Sequence, residues 1–77
     1  MKSISLQDYF LNTIRKENIV TTFFLMNGFK LKGMIRAFDS FTVFVESDGK
    51  QQMIFKHAIS TIIPEFPVNL NQEEVLN

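Results

Sequence analysis

The spacing of apolar residues changes once along the chain, near residue 18. Before that point Leu6, Tyr9, Phe10 and Ile14 recur at helical intervals, which predicts one helix over residues 5–17. Ser5 followed by Asp8 has the form of an N-terminal cap, and Asp8 suits the positive end of the helix. Arg15 and Lys16 fall in the last turn, where cations are favoured. Beyond it the period drops to two. Residues 19–26 are rich in β-branched and aromatic side chains and read as a first strand, closed by the hairpin signal Asn27-Gly28. Phe29, Leu31, Gly33, Ile35 and Ala37 then alternate with Lys30, Lys32, Met34, Arg36 and Phe38, on opposite faces of a second strand. Gly33 inside it predicts a bend or a close backbone approach.

After an Asp39-Ser40 turn, a third strand is expected over 41–46, with Phe41, Val43 and Val45 opposite Thr42, Phe44 and Glu46. The turn Ser47-Asp48-Gly49-Lys50 leads to a fourth strand over 51–56. His57-Ala58 is a very short connection to a fifth over 59–63, stopped by Pro64. Residues 65–77 form a short tail; Phe66, Val68 and Leu70 alternate, as in an extended segment lying on the core, and disorder is expected beyond residue 70. One helix and five short strands describe a small, strongly twisted sheet or partly open barrel over residues 1–64. Such a sheet has two edges, and pairing each with a neighbour's edge would close a ring.

Length sharpens that expectation. A chain of 77 residues builds a marginal core. With no cysteine and one histidine, disulfide, zinc-thiolate and His-rich metal staples are excluded, and oligomerisation remains. Net charge is zero, but Glu65, Glu73 and Glu74 lie in the tail, so residues 1–64 hold eight basic against five acidic residues, or +3. A ring would repeat that charge into a field. No signal-like or membrane-spanning apolar run is present, so a soluble, cytoplasmic protein is expected.

Catalytic chemistry finds little support. His57 has Ser60 and Thr61 nearby, but no nucleophile motif, paired carboxylates or Gly-rich phosphate loop surrounds it. Binding fares better. Lys56-His57 at a turn, with Phe41 beside another turn, would join a stacking face to a phosphate contact, as single-stranded RNA requires. The plainer reading of Lys56-His57 is a polar turn. Phe24 and Phe29, which cluster with Lys30, Leu31 and Lys32 around Asn27-Gly28, read equally well as core, and Arg15 and Lys16 as a solvated helix face.

Five segments, in order and at matching intervals, resemble one family. They are Ser5-Leu6-Gln7-Asp8, Phe10-Leu11-Asn12, Asn27 to Gly33, Phe38-Asp39-Ser40-Phe41, and Phe55-Lys56-His57-Ala58-Ile59-Ser60-Thr61 followed by Pro64. Across residues 4–64 the chain is similar to the bacterial Sm-like RNA chaperones of the Hfq family, Gram-positive type. The resemblance implies a mainly β Sm-like fold, an N-terminal helix on a bent five-stranded antiparallel sheet, assembled as a homohexameric ring. It implies a proximal face for U-rich RNA formed by Gln7, Ser40, Phe41, Lys56 and His57, with Ser40 shorter than the Gln of many members. It implies a distal face for A-rich or purine-rich RNA formed by Phe24, Gly28, Phe29, Lys30, Leu31, Lys32, Gln52 and Thr61. Arg15 and Lys16 would stand at a lateral rim, with Asn18 in place of a further Arg, which implies weaker annealing of RNA strands. The partners implied are small regulatory RNAs, messenger RNAs and further copies of the chain, with no cofactor, metal, membrane or small-molecule substrate and no catalysis. A ring-forming protein scaffold with vestigial RNA binding is the alternative.

Overall fold

A computed structural model describes residues 5–70. Its elements are α1 (Leu6–Lys16), β1 (Thr21–Leu25), β2 (Lys30–Phe38), β3 (Thr42–Ser47), β4 (Lys50–Phe55), a 3₁₀ turn (Lys56–Ala58) and β5 (Ile59–Pro64). The strands form one antiparallel sheet in the order β4-β3-β2-β1-β5, so β4 and β5 are its open edges. The expected helix, strand number and strand order along the chain are therefore observed. The disorder expected beyond residue 70 falls outside the described residues.

Both ends of α1 follow from local chemistry. The Asp8 amide donates to Ser5 Oγ at 3.0 Å, satisfying one donor of the first turn. At the other end Asn18 takes a left-handed φ of 53°. Its amide donates to the Arg15 carbonyl at 3.2 Å and the Ile19 amide to the Ile14 carbonyl at 3.1 Å, the Schellman pattern. Ile14 and Ile19, which flank that pattern, are both buried. The first strand accordingly begins at Thr21 rather than residue 19. The buried stripe is also rotated from the expected one: Leu6 is exposed, and Leu11 with Ile14 enters the core.

Those two side chains pack on Phe23, Ile35, Val43, Val45 and Ile54 of the sheet. The sheet bends because β2 changes partners. Lys30 to Gly33 pair with β1, whereas Met34 to Phe38 pair with β3. Gly33 stands at the handover. A Cβ there would lie 2.5 Å from the Glu46 carbonyl oxygen and 2.9 Å from Val45 Cγ1, so only glycine lets the strands cross this closely. A register shift between Ile35 and Ala37 then reverses the expected alternation: Ala37 is exposed and Phe38 is half-buried against the core.

Past β5 the chain turns back over the core. The Glu65 amide donates to the Val20 carbonyl at 2.9 Å, Val68 packs on the core, and the Tyr9 hydroxyl donates to the Asn69 carbonyl at 3.0 Å. The alternation of Phe66, Val68 and Leu70 predicts all three on the core; Val68 alone packs there, while Phe66 and Leu70 are exposed.

Candidate nucleic-acid interface

The 3₁₀ turn Lys56–Ala58 is hydrogen-bonded to two aromatic turns. The Lys56 amide donates to the Phe41 carbonyl, and the Met26 amide donates to the Ala58 carbonyl, both at 2.8 Å. One short helical turn thereby fixes the Phe41 turn at its first residue and the Asn27-Gly28 turn at its last.

Phe41 was expected to open the third strand. It lies before it, because Asp39 captures the backbone in a turn. One carboxylate oxygen, Asp39 Oδ1, accepts from the Phe41 amide at 2.9 Å, the Thr42 amide at 2.8 Å and the Thr42 hydroxyl at 2.7 Å. The Phe41 ring is left 75% exposed, and Ser40 is exposed beside it. The Asp39 carboxyl is held below its ordinary range, first by the Thr42 hydroxyl, then by the Phe41 and Thr42 amides, with a smaller contribution from the Lys56 charge.

Lys56 opens the 3₁₀ turn instead of ending a strand. Its side chain is only 15% exposed. The ammonium stands 3.9 Å from Asp8 Oδ1 and 5.4 Å from the centre of the Phe38 ring. An acid on one side and a ring on another hold the cation in place. His57 is exposed and stacks on Phe55, with ring centres 5.7 Å apart at 14°. Gln7, exposed in the first turn of α1, lines one cavity with Lys56, Ser60 and Thr61. Asp8, Phe38, Asp39 and Phe55 are thus site residues that the sequence-level assignment lacks. Asp39 has a signal in its Asp-x-Phe spacing, whereas the position of Asp8 in the sequence points only to a helix cap.

The second turn follows a related plan. The Phe29 amide donates to Asn27 Oδ1 at 3.0 Å, and Gly28 adopts a φ of 92°. Phe29 is 71% exposed, which removes its reading as core. The buried ring is Phe23; Phe24, next along β1, is half-buried with the Lys30 ammonium 6.0 Å from its centre. Leu31 is half-buried and Lys32 exposed on the same hairpin. Gln52 and Thr61 are both exposed but lie on β4 and β5, the opposite edges, so one chain does not bring them together. Thr61 instead shares the cavity of Gln7 and Lys56, residues the resemblance places on the other face. Arg15 is half-buried, its Nη2 donating to Asn12 Oδ1 at 2.7 Å, while Lys16 is exposed.

Among the described residues no group of three acidic or histidine side chains forms a metal site, and no helix is long and apolar enough to cross a membrane.

The family described as "Hfq protein" matches residues 6–69. The chain belongs to the Hfq family. An RNA-binding protein Hfq of Desulforamulus reducens is 65% identical over 71 residues, spanning 92% of this chain and 89% of its own. That of Bacillus licheniformis is 60% identical over 73 residues, 95% of this chain and all of its own. Among solved structures, a crystal structure of the pleiotropic translational regulator Hfq superposes with a TM-score of 0.75 at 41% identity, covering 77% of this chain and 98% of that one. The bent sheet with its N-terminal helix is the Sm-like fold of Hfq.

Proposed function

We propose that this Hfq-family chain is a non-catalytic RNA chaperone that binds single-stranded RNA and promotes pairing of small regulatory RNAs with messenger RNAs. The observation that carries this reading is the exposed Phe41 ring on a turn whose carbonyl accepts from the Lys56 amide at 2.8 Å, which ties a stacking face to the residue that carries a cation. A free aromatic face stacks any base, and a fixed cation neutralises a phosphate. The relatives' description as RNA-binding proteins supports the same reading. Gln7, Ser40, Phe41, Lys56 and His57 take U-rich RNA. Phe24, Gly28, Phe29, Lys30, Leu31, Lys32, Gln52 and Thr61 take purine-rich RNA.

The working unit is a homohexameric ring. Edge strand β4 exposes Met53 and Phe55 and edge strand β5 exposes Ile63, apolar positions that an edge leaves open to association. Joining β4 of one copy to β5 of the next is a head-to-tail contact that closes by rotation. It also brings Gln52 towards the neighbour's Thr61, completing a site that one chain holds in two halves. Six copies multiply weak sites into high avidity.

Binding of labelled oligo(U), oligo(A) and oligo(AG), followed by fluorescence anisotropy at two salt concentrations, tests this. Salt-sensitive binding of U-rich and purine-rich RNAs that do not compete is expected. An intact ring that binds neither would move the function to a protein scaffold.

A further inference from the structure

A basic groove runs between the end of α1 and the bulged part of β2, lined by Asn12, Arg15, Arg36, Ala37 and Phe38. It contains an arginine to which no role has been given above. Arg36 sits at the register shift between Ile35 and Ala37, where the β2–β3 ladder is interrupted. Its Nη1 points to Asn18 Oδ1 at 3.4 Å, the side chain at the exit of α1. Arg15 stands on the helix side, steered by its 2.7 Å bond to Asn12. Two guanidinium groups from different elements therefore line one groove, with half-buried Phe38 as an aromatic wall.

Arg36 is not free. Its Nε donates to Glu46 Oε1 at 2.8 Å, and both side chains are part-exposed, at 43% and 38%. An exposed pair of this kind is weakly held and open to exchange. A phosphate presents the same acceptor geometry with more charge, and a guanidinium engages it as a fork.

We propose that Arg36 is a phosphate-binding residue of the lateral groove, that it supplies from β2 the charge Asn18 does not supply from the helix, and that Glu46 masks it until an RNA phosphate takes its place. This inference rests on the RNA-binding reading and adds to it a residue and a competitor. It also changes the expectation for the rim. Asn18 holds a left-handed cap and lies beside Arg36, so Asn18→Arg would strain the cap and crowd two like charges.

The test uses the full chain and two complementary RNA strands whose annealing is followed by stopped-flow fluorescence, with oligo(U) and oligo(A) affinities measured in parallel. Arg36→Gln is expected to slow annealing about threefold or more and to lower the salt slope by roughly one, since one phosphate contact is lost. Oligo(U) and oligo(A) affinities should stay within about twofold, because the two aromatic turns are untouched. Glu46→Gln is expected to speed annealing about twofold, a gain that misfolding does not produce, and the double variant should return to the Arg36→Gln rate. Unchanged annealing in Arg36→Gln, with both oligonucleotides bound normally, overturns the assignment of Arg36. Slower annealing in Glu46→Gln overturns the masking role. Failure of the unaltered protein to bind either oligonucleotide overturns the RNA-binding reading instead.

Discussion

The Asp39 turn and the Asn27 turn are two versions of one device. Each spells Asx-x-Phe, each uses the Asx side chain to accept the Phe amide, and each leaves that ring largely exposed. They differ in charge and in the number of bonds. Asp39 gathers three donors on one ionised oxygen, while Asn27 accepts a single bond and leaves the fold to a positive-φ glycine. The first turn is locked by a carboxylate and inherits its pH dependence. The second is locked by backbone conformation and inherits none.

The largest effect that separates them is deletion of the rings. Stacking contributes about 1–3 kcal/mol per base, so Phe41→Ala should lower oligo(U) affinity about tenfold or more and leave oligo(A) nearly unchanged. Phe29→Ala should do the reverse. Equal losses on both RNAs in anisotropy titrations would mean that the turns serve one site rather than two.

Next comes the scaffold beneath each ring. Asp39→Ala removes three bonds and should cost several-fold in oligo(U) affinity; Asn27→Ala removes one and should cost about twofold in oligo(A) affinity. If Asp39→Ala were as mild as Asn27→Ala, the Phe41 turn would owe its shape to the Lys56 amide instead.

Titration sharpens the contrast further. The Asp39 carboxyl is held below its ordinary value of 3.8 in the folded chain, so its contribution to stability is complete above that value. As pH falls below about 3.8 and through the lowered folded value, protonation removes it. Thermal melts should therefore lose stability more steeply across this window in the native protein than in Asp39→Asn. Parallel curves would show that the turn does not depend on the ionised form.

The smallest effect belongs to Gly28. No atom lies within 4 Å of a Cβ built there, so Gly28→Ala meets only the strain of a φ of 92°, about 1 kcal/mol. A modest fall in melting temperature is expected, against a much larger one for Gly33→Ala, where the Cβ strikes backbone at 2.5 Å. Equal falls would remove Gly33 as the cause of the bend.

Periodicity made α1, β2 and β3 legible, β-branched and aromatic content made β1 legible, and β4 and β5 were legible from the turns and the proline that bound them. Periodicity misled where the pattern met an interruption. The bulge at Arg36 adds a residue to one strand only, so alternation written through it puts Ala37 inward and Phe38 outward, the opposite of what is seen. The exposed aromatics and Lys56 were legible as chemistry. Asp39 was legible too, because it binds the Phe41 and Thr42 amides two and three residues on. Asp8 and Glu46 were not, since their partners Lys56 and Arg36 come within reach only in the folded chain.

The change of partners along β2 also orders the chain in time. The β3–β4 hairpin closes over a few residues through Asp48 and Gly49, both left-handed, whereas β1 must find β5 across the interval from Thr21 to Pro64. Local loops close faster than distant ones. Loop closure therefore predicts that the β4 edge forms before the β5 edge. The β5 edge is complete only when the last strand has paired, so a chain halted before residue 59 displays a β4 edge and no β5 edge.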